Sequence, residues 1–372
     1  MVALEFTGRW CHVESTRRPD KQCEPVAEPR NPDPDRLRER ALALARSRTF
    51  FYKNPTDIMM TPRDNNITLQ RSRGFTRLVI RGVVLVVAVL ALLVTAIWVR
   101  GERIIGRKYQ VPVHAPLAIE TDSATIQRGR HIARAIGSCT LCHGEDLGGA
   151  VYMDAGPMGF VAGPNLTAGE GGIASRLTVD DWVRAIRYGV RRDSTSLLIM
   201  PSEVFVHLSD RDLAALIAYL TGLPPVDRAL AETEFRWLGK LLTGAGRLNL
   251  LVASKTEPFI SVPHIEPGVT VEYGRYLVET AGCAGCHGYG LSGGRVAGPP
   301  DLPPASNLTP AGQISTWTES EFIRSMREGV RPDGTVMDDF MPWRILGRMT
   351  DDEMRAIWLY LGTVPAKTFG HK

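Results

Sequence analysis

The sequence Cys-Thr-Leu-Cys-His occupies residues 139–143, and Cys-Ala-Gly-Cys-His occupies residues 283–287. This spacing allows each pair of thiols to form thioethers with the two vinyl groups of a haem, with the adjacent histidine ligating the iron. A structural zinc site would need a fourth ligand, and a thioredoxin-like dithiol would need a βαβ setting. Neither accompanies these motifs, so the sequence predicts two covalently bound haem c groups. The predicted attachment and iron-ligand residues are Cys139, Cys142 and His143 in the first motif, and Cys283, Cys286 and His287 in the second.

The two motifs belong to an internal repeat. Landmarks around the first motif recur in the same order around the second. The matched landmarks are Arg128-Gly129-Arg130-His131 with Tyr273-Gly274-Arg275-Tyr276, Asn165-Leu166-Thr167 with Asn307-Leu308-Thr309, Gly189-Val190-Arg191 with Gly329-Val330-Arg331, and Met200-Pro201 with Met341-Pro342. Such self-similarity over about 100 residues indicates a duplicated domain of ordinary size.

Each copy shows the pattern of a helical domain. Four pairs of residues have the spacing of a helix-capping box: Thr178 with Asp181, Ser209 with Asp212, Thr318 with Glu321, and Thr350 with Glu353. Apolar residues recur at helical spacing after each pair, which predicts amphipathic helices. The Gly- and Pro-rich stretches 144–172 and 288–304 are expected to be long loops that a bound group orders. The predicted fold class is therefore all-α.

The stretch 78–99 is long and apolar enough to cross the hydrocarbon core of a bilayer, which is about 30 Å thick. Its one charge, Arg81, is placed to snorkel to the interface, and Trp98 lies where an interfacial aromatic is expected. Haem attachment to these motifs takes place on the outer side of the bacterial inner membrane. The N-terminus is therefore predicted to be cytoplasmic and the haem domains periplasmic. A cleaved signal peptide is the alternative, although the apolar run exceeds the usual length of an h-region.

The predicted organisation is two tandem domains behind a single N-terminal transmembrane helix. The predicted bounds are 1–77 for a disordered cytosolic tail, 78–99 for the anchor, 100–119 for a linker, 120–224 for the first domain, 225–265 for an inter-domain segment, and 266–366 for the second domain. The tail is rich in Arg and Pro. Translation from Met59 or Met60 would leave only a short basic lead-in. The inter-domain segment is too apolar for a free tether, so we expect it to pack on the domains or on the membrane surface.

Haem iron that carries electrons needs a sixth ligand. The candidates are Met153, Met158, Met200 and His207 in the first copy, and Met337, Met341 and Met349 in the second. Only Met200 and Met341 occupy equivalent positions, each followed by proline, so these two are the predicted axial ligands. Thioether ligation raises the reduction potential, and it leaves the iron without an open position for a substrate.

The ring nitrogen of each histidine that does not bind iron is expected to donate a hydrogen bond to a carbonyl group. Pro164 is placed to supply this carbonyl in the first copy. In the second copy, either Ser306 or the pair Gly298-Pro299 is a candidate.

Composition excludes several other classes of protein. The chain has 372 residues with 44 Lys and Arg against 40 Asp and Glu, a net charge of +4. No concentrated basic surface points to nucleic acid as a partner. Six cysteines are too few for a disulfide scaffold, and four of them lie in the two motifs.

Both copies resemble class I cytochrome c domains, over about residues 120–222 and 266–364. The order of motifs is similar to that of the multi-haem cytochrome subunits of bacterial membrane alcohol and gluconate dehydrogenases. The resemblance implies an all-α fold wrapped on haem. This chain departs from those subunits in carrying two haem motifs instead of three, and in its N-terminal anchor.

The expected function is that of a membrane-anchored periplasmic dihaem cytochrome c, an electron carrier and not an enzyme. Its expected partners are an electron donor and an acceptor, with a membrane dehydrogenase or a terminal oxidase as candidates. One alternative is the electron-accepting cytochrome subunit of a membrane dehydrogenase complex. A dihaem peroxidase would need an open sixth position on iron, against which the paired methionines argue. A haem-based sensor would need a folded output domain in the tail.

Overall fold

The computed structural model describes residues 66–112, 115–256, 262–296 and 302–371, with side chains from residue 74 onward. Residues 1–65 of the tail expected over 1–77 therefore lie outside the described residues. The alternative starts at Met59 and Met60 lie outside them as well. The pair Gly298-Pro299 also lies outside them.

Helix α1 (Asn66–Ile105) contains the predicted anchor. It begins before Leu78 and ends after Val99, because the polar residues that flank the apolar run also favour a helix while hydropathy marks only the run itself. The segment Gly74–Ile105 has the length and hydropathy of a membrane span, and none of the other described residues covers its most apolar part. Thr95 Oγ1 donates to the carbonyl of Ala91 at 2.8 Å, so this hydroxyl is satisfied within the helix.

The first domain is built from helices around its cysteine motif. They are α2 (Ser123–His131), which continues into a π turn (Ile132–Ile136), α3 (Thr140–His143), α4 (Val179–Tyr188), α5 (Ser202–Phe205) and α6 (Asp210–Thr221). Helix α7 (Trp237–Gly244) follows in the inter-domain segment. The second domain repeats the pattern with α8 (Val271–Thr280), α9 (Cys283–His287), α10 (Glu319–Glu328), α11 (Trp343–Leu346) and α12 (Asp351–Thr363).

The predicted helix starts are confirmed. Thr178 and Thr318 form complete capping boxes at α4 and α10, which both end at a left-handed glycine, Gly189 and Gly329. Thr350 does the same at the start of α12. At α6, Ser209 Oγ accepts from the backbone N–H of Asp212, but the Asp212 carboxylate binds residues outside the cap. The Asp212 carboxylate is thus used for tertiary contacts instead of completing the cap.

The all-α prediction is confirmed for the helices, but it missed a small antiparallel sheet. Strands β1 (Ala150–Asp154), β2 (Gly159–Gly163) and β3 (Glu234–Phe235) pair in the order β1-β2-β3. The hairpin β1–β2 lies within the stretch 144–172 that was expected to be loop. Its sequence lacks the alternation that marks a strand, and its pairing with β3 comes from a distant segment.

The Asn-Leu-Thr sequence has the same structural task in both copies. Asn165 Nδ2 donates to the carbonyl of Val226 at 2.6 Å, and Asn307 Nδ2 donates to the carbonyl of Lys367 at 2.8 Å. Each asparagine therefore holds the chain that follows the last helix of its domain. In the first copy this contact fixes the beginning of the inter-domain segment. Arg228 of that segment also pairs with Asp146 at 2.9 Å.

Within each domain the first and last helices cross closely, α2 against α6 and α8 against α12. A side chain at Gly129 would collide with the carbonyl of Ala215, and one at Gly274 would collide with the carbonyl of Ala356. These glycines occupy matching repeat positions, so the same close crossing recurs in both domains.

The two domains pack on one another with approximate two-fold symmetry. Helix α5 of the first domain contacts α8 of the second, and α11 of the second contacts the π turn of the first. In each case the short helix after a Met-Pro pair meets the helix that leads into the other cysteine motif. The buried apolar residues of both domains form one continuous cluster, so the pair has a shared core.

A buried polar network lies across this interface. Arg128 binds Asp212 through two hydrogen bonds of 2.7 and 2.8 Å and also contacts Glu353 at 3.4 Å. His131 Nε2 lies 2.7 Å from Glu353 Oε2, and Tyr276 donates to Asp212 Oδ2 at 2.7 Å. His131 and Tyr276 are repeat equivalents, as are Asp212 and Glu353. Each domain therefore presents the same pair of positions to the other.

Candidate haem sites

The local structure places each cysteine motif on a single helical turn. In α3 the N–H of His143 donates to the carbonyl of Cys139 at 3.0 Å, which brings the two thiols and the imidazole to one side of the turn. In the second copy α9 begins at Cys283 after Gly282, whose backbone is left-handed with φ of 73°. This is the arrangement that two thioethers and one iron ligand from a single motif require.

A cavity of about 1350 Å³ opens beside the first motif. It is larger than the roughly 300–1,000 Å³ of ordinary ligand pockets, so it has room for a prosthetic group of haem size. The predicted site residues of the first copy that line it are Cys139, Cys142, His143, Pro164 and Met200. Much of the remaining wall is apolar, including Leu166, Trp182, Ile186, Leu197 and Leu216. The structure thus brings the predicted first site together around one space.

The cavity also reaches the second domain. Its wall includes Gly282, Ala284, Cys286, Tyr289 and Tyr360. Cys283, His287 and Met341 do not line it; Cys283 and Met341 pack at the edge of the shared core. The two cysteine motifs are therefore neighbours along a single cavity rather than features of separate lobes.

Both motif histidines have one ring nitrogen fixed by a backbone carbonyl. His143 Nδ1 lies 2.9 Å from the oxygen of Pro164, and His287 Nδ1 lies 2.7 Å from the oxygen of Ser306. When Nδ1 donates its proton, Nε2 keeps the lone pair that binds a metal. Burial lowers the pKa of both imidazoles, which favours this neutral form.

The pKa values of the motif thiols do not fit a redox dithiol. All four are free and partly buried in the polypeptide. Burial raises the pKa of Cys139 and Cys283 to about 12 and that of Cys142 to about 11. A catalytic dithiol instead depends on a lowered thiol pKa. Over the described residues, no cluster of three or more His, Cys, Asp and Glu side chains has the arrangement of a metal site, so a zinc centre has no ligand set there.

The two Met-Pro pairs have matching backbone geometry. The N–H of Ser202 donates to the carbonyl of Met200 at 2.9 Å, and the N–H of Trp343 donates to the carbonyl of Met341 at 2.7 Å. In each copy the proline then starts a short helix, α5 or α11. The equivalence that singled out these methionines in the sequence thus extends to their local conformation.

The structure also places the rival ligands. Met153 and Met158 lie on the hairpin with more than 40% of each side chain exposed, and neither lines the cavity. His207 lines it together with Met200. In the second domain Met337 and Met349 are buried.

The first site contains polar groups that the sequence alone did not single out. Trp182 is 3% exposed and lines the cavity, and its indole Nε1 has no hydrogen-bond acceptor among the described residues. An unpaired buried donor of this kind costs about 1–3 kcal/mol unless a ligand accepts its proton. Arg176, Arg191 and Arg192 line the same cavity. An indole donor and guanidinium groups suit the two carboxylates of a haem, so the residues present fit that group.

Comparison with known proteins identifies the class. The family profile described as "Cytochrome C oxidase, cbb3-type, subunit III" matches residues 124–220, and the profile described as "Cytochrome c" matches residues 271–365. The chain therefore has two tandem cytochrome c domains, as its motifs, helices and paired histidines indicate.

Several relatives are similar over much of the chain. The cytochrome c subunit of the quinone alcohol dehydrogenase of Komagataeibacter europaeus is 26% identical over 272 residues, 66% of this chain and 57% of the relative. The gluconate 2-dehydrogenase cytochrome c subunit of Pantoea cypripedii is 29% identical over 279 residues, 67% of this chain and 61% of the relative. A "Diheme cytochrome c-type" protein of Cereibacter sphaeroides is 29% identical over 265 residues, 64% of this chain and 86% of the relative.

These relatives confirm the predicted resemblance to dihaem cytochromes and to dehydrogenase cytochrome subunits. The chain spans less than two thirds of the length of the dehydrogenase subunits that it matches.

Proposed function

We propose that this chain is a membrane-anchored dihaem cytochrome c that passes electrons between a dehydrogenase and an acceptor on the periplasmic side of the inner membrane. The proposal depends above all on one observation: a single cavity runs from the first cysteine motif to the second, across an interface with a shared core. Each haem, when bound, would supply a one-electron couple. The chain's own contribution is to hold two such groups at a fixed separation.

The proposed ligand sets follow the repeat. Cys139 and Cys142 would attach the first haem, His143 and Met200 would supply its iron ligands, and the carbonyl of Pro164 would orient the histidine. The second haem would be held by Cys283 and Cys286, with His287 and Met341 as ligands and the carbonyl of Ser306 in the orienting position. The matching histidine–carbonyl distances and the matching Met-Pro geometry support this assignment.

Haem stoichiometry is the first test. Expressed with a complete maturation system, the chain should carry two covalent haems that resist acid-acetone extraction, and its intact mass should show both. A Cys142→Ala variant should lose covalent haem at the first site only, and Cys286→Ala at the second only. A wild-type chain with one haem or none would contradict the proposal.

The proposed membrane anchor is the helix Gly74–Ile105, which has the length of a span. With the N-terminus in the cytoplasm, both haem domains would face the periplasm, where the attachment chemistry takes place. In a cell fractionation the protein should sediment with the inner membrane and retain residues before 78. A soluble product that begins after residue 96 would show that the helix is a cleaved signal instead.

A dehydrogenase is the proposed donor because the similar proteins from Komagataeibacter europaeus and Pantoea cypripedii are named as cytochrome subunits of dehydrogenases. In membranes, substrate of the partner enzyme should reduce both haems, and the enzyme should co-purify with this chain. A terminal oxidase is the candidate acceptor. Reduced cytochrome that oxygen reoxidises only when the oxidase is present would support it.

A further inference from the structure

The inter-domain helix α7 is bound tightly to the end of α1. A side chain at Gly101 of α1 would collide with the carbonyl of Lys240, and one at Gly244 would collide with the carbonyl of Ile97. The two backbones are therefore in direct contact at two points. Only glycine at these positions permits so close a crossing.

Polar contacts fix the same crossing. Arg100 Nη1 donates to the carbonyl of Gly244 at 2.7 Å, and Lys240 Nζ pairs with Glu102 at 2.7 Å. Lys240 Nζ also lies 5.8 Å from the centre of the Trp98 ring. All these partners on α1 lie within 97–102, where the apolar run of 78–99 gives way to charged residues. If α1 spans a bilayer, α7 must lie at the level of the lipid headgroups.

The composition of α7 suits the headgroup region of a bilayer. Trp237 is 62% exposed although it is a large aromatic residue. Together with Leu241 it faces Val94 and Trp98 across a small cavity of about 210 Å³ between the two helices. An exposed tryptophan beside a second one, with basic residues adjacent, is typical of the boundary between headgroups and acyl chains.

The other side of α7 holds the first cytochrome domain. A side chain at Gly239 would collide with the carbonyl of Met158 on the hairpin, and the N–H of Arg236 donates to that carbonyl at 3.1 Å. Arg236 also pairs with Asp154 at 2.7 Å. Helix α7 is therefore in contact with α1 on one side and with the β1–β2 hairpin on the other. We call this pair of contacts the clamp, and it determines the position of the first domain relative to α1.

We propose that α7 is an interfacial membrane helix. Trp237 and Leu241 insert between the lipid headgroups and the acyl chains of the bilayer that α1 crosses, and the clamp holds the first cytochrome domain against the membrane surface. The inference rests on the membrane anchoring put forward above, since α7 has no bilayer to enter if α1 does not cross one. It commits to lipid as the occupant of this face because the contacts with α1 continue directly from the span.

Photo-crosslinking of the full chain in nanodiscs of phosphatidylethanolamine and phosphatidylglycerol tests this inference. The photoreactive residue p-benzoylphenylalanine is placed at position 237, with position 241 as a second probe on the same face. Position 369 is the matched control, since Phe369, which follows the second domain, is 60% exposed, close to the 62% of Trp237. Position 90, in the middle of the span, reports on α1 itself. The mass of each variant must show two haems before illumination.

We expect lipid adducts at positions 90, 237 and 241, with yields at 237 on the order of tenfold above those at 369, as for a side chain buried in the headgroup boundary. Adducts at 90 without adducts at 237 and 241 would overturn the interfacial helix and leave the anchor intact. A lack of adducts at all three would overturn the anchor as well. Covalent dimers formed from position 237 would show that a second copy of the chain covers this face, which also contradicts the proposal.

Discussion

The two cytochrome domains have equivalent helices, and in each of them a backbone carbonyl fixes the motif histidine. They differ in the residues that surround the site. The first has a hairpin over 150–163 and a buried indole, Trp182, where the second has Phe322. The carbonyl that accepts from His143 in the first domain belongs to Pro164, and the one that accepts from His287 in the second belongs to Ser306. The parts required to attach and ligate a haem are thus duplicated faithfully. The parts that tune its surroundings have diverged, so the two groups should have different potentials.

The largest expected effect distinguishes the two sites through their methionines. Met200→His and Met341→His should each lower the potential of one haem by roughly 0.2 V and leave the other nearly unchanged, because axial ligands set haem potentials over about 0.8 V. A redox titration followed at the haem α-band measures both potentials. Met158→His and Met337→His are the controls, and a comparable shift in either would contradict the assignment.

The second comparison concerns the network that joins the domains. Arg128→Ala would leave Asp212 and Glu353 buried without their shared cation, which should lower the free energy of unfolding by about 3–5 kcal/mol. Urea denaturation followed by circular dichroism measures this loss. Arg355→Ala is the control, since Arg355 forms only exposed pairs, which contribute about 0–1 kcal/mol. Equal losses in the two variants would mean that the network does not stabilise the interface.

The same network predicts a response to acid. Burial raises the pKa of the Glu353 carboxyl, but the hydrogen bond and charge of His131, the backbone N–H of Thr350 and the charge of Arg128 together leave the pKa below its ordinary value of 4.5. Burial also raises the pKa of the Asp212 carboxyl, but the hydrogen bonds and charge of Arg128, the hydrogen bond from Tyr276 and the charge of His264 together leave the pKa below its ordinary value. A carboxyl with a lowered pKa stabilises the fold above its unfolded pKa and loses that contribution as the pH falls through the folded value.

Stability should therefore decline as the pH falls below about 4.5, and the decline should be shallower in Glu353→Gln. Unfolding midpoints in urea between pH 3 and pH 7 give the profile, a range set by the ordinary carboxyl pKa values. Glu319→Gln, an exposed glutamate of α10, is the matched control. A Glu353→Gln profile that follows the wild-type one at every pH would contradict this account.

The smallest expected effect is on the reduction potential of one haem, and it tests the difference between Trp182 in the first copy and Phe322 in the second. Trp182→Phe makes the first site resemble the second and removes one hydrogen-bond donor, a change of about 1 kcal/mol or about 40 mV for one electron. The potential of one haem should shift by this amount, and the other should stay constant. Phe322→Leu replaces the equivalent residue of the second copy without removing a hydrogen-bond donor and serves as the control. A constant potential in Trp182→Phe would mean that the indole does not contact the bound group.

Much of the site could be predicted from the sequence because its chemistry is local. Cys139, Cys142 and His143 lie on one turn of helix, so their spacing alone brings them together. Pro164 is an intermediate case. Its carbonyl was expected opposite His143, and the structure places it there, but the equivalent role of Ser306 needed the folded loop. The orphaned indole of Trp182 could not be found, since hydrogen-bond partners depend on the whole surrounding structure.

The fold shows the same division. Capping boxes and helical periodicity determined the helices, and the repeat of landmarks determined that there are two similar domains, because these signals involve residues a few positions apart. The hairpin required β3, a segment far along the chain, to complete its sheet. The interface required Arg128 to reach Glu353 in the other domain. The sequence by itself determined which residues are the candidates to attach and ligate two haems. Only the tertiary structure decided that the cavity beside the first site reaches Cys286 of the second motif and that α7 joins the first domain to α1. These contacts form between distant segments, so no periodic pattern in the sequence predicts them.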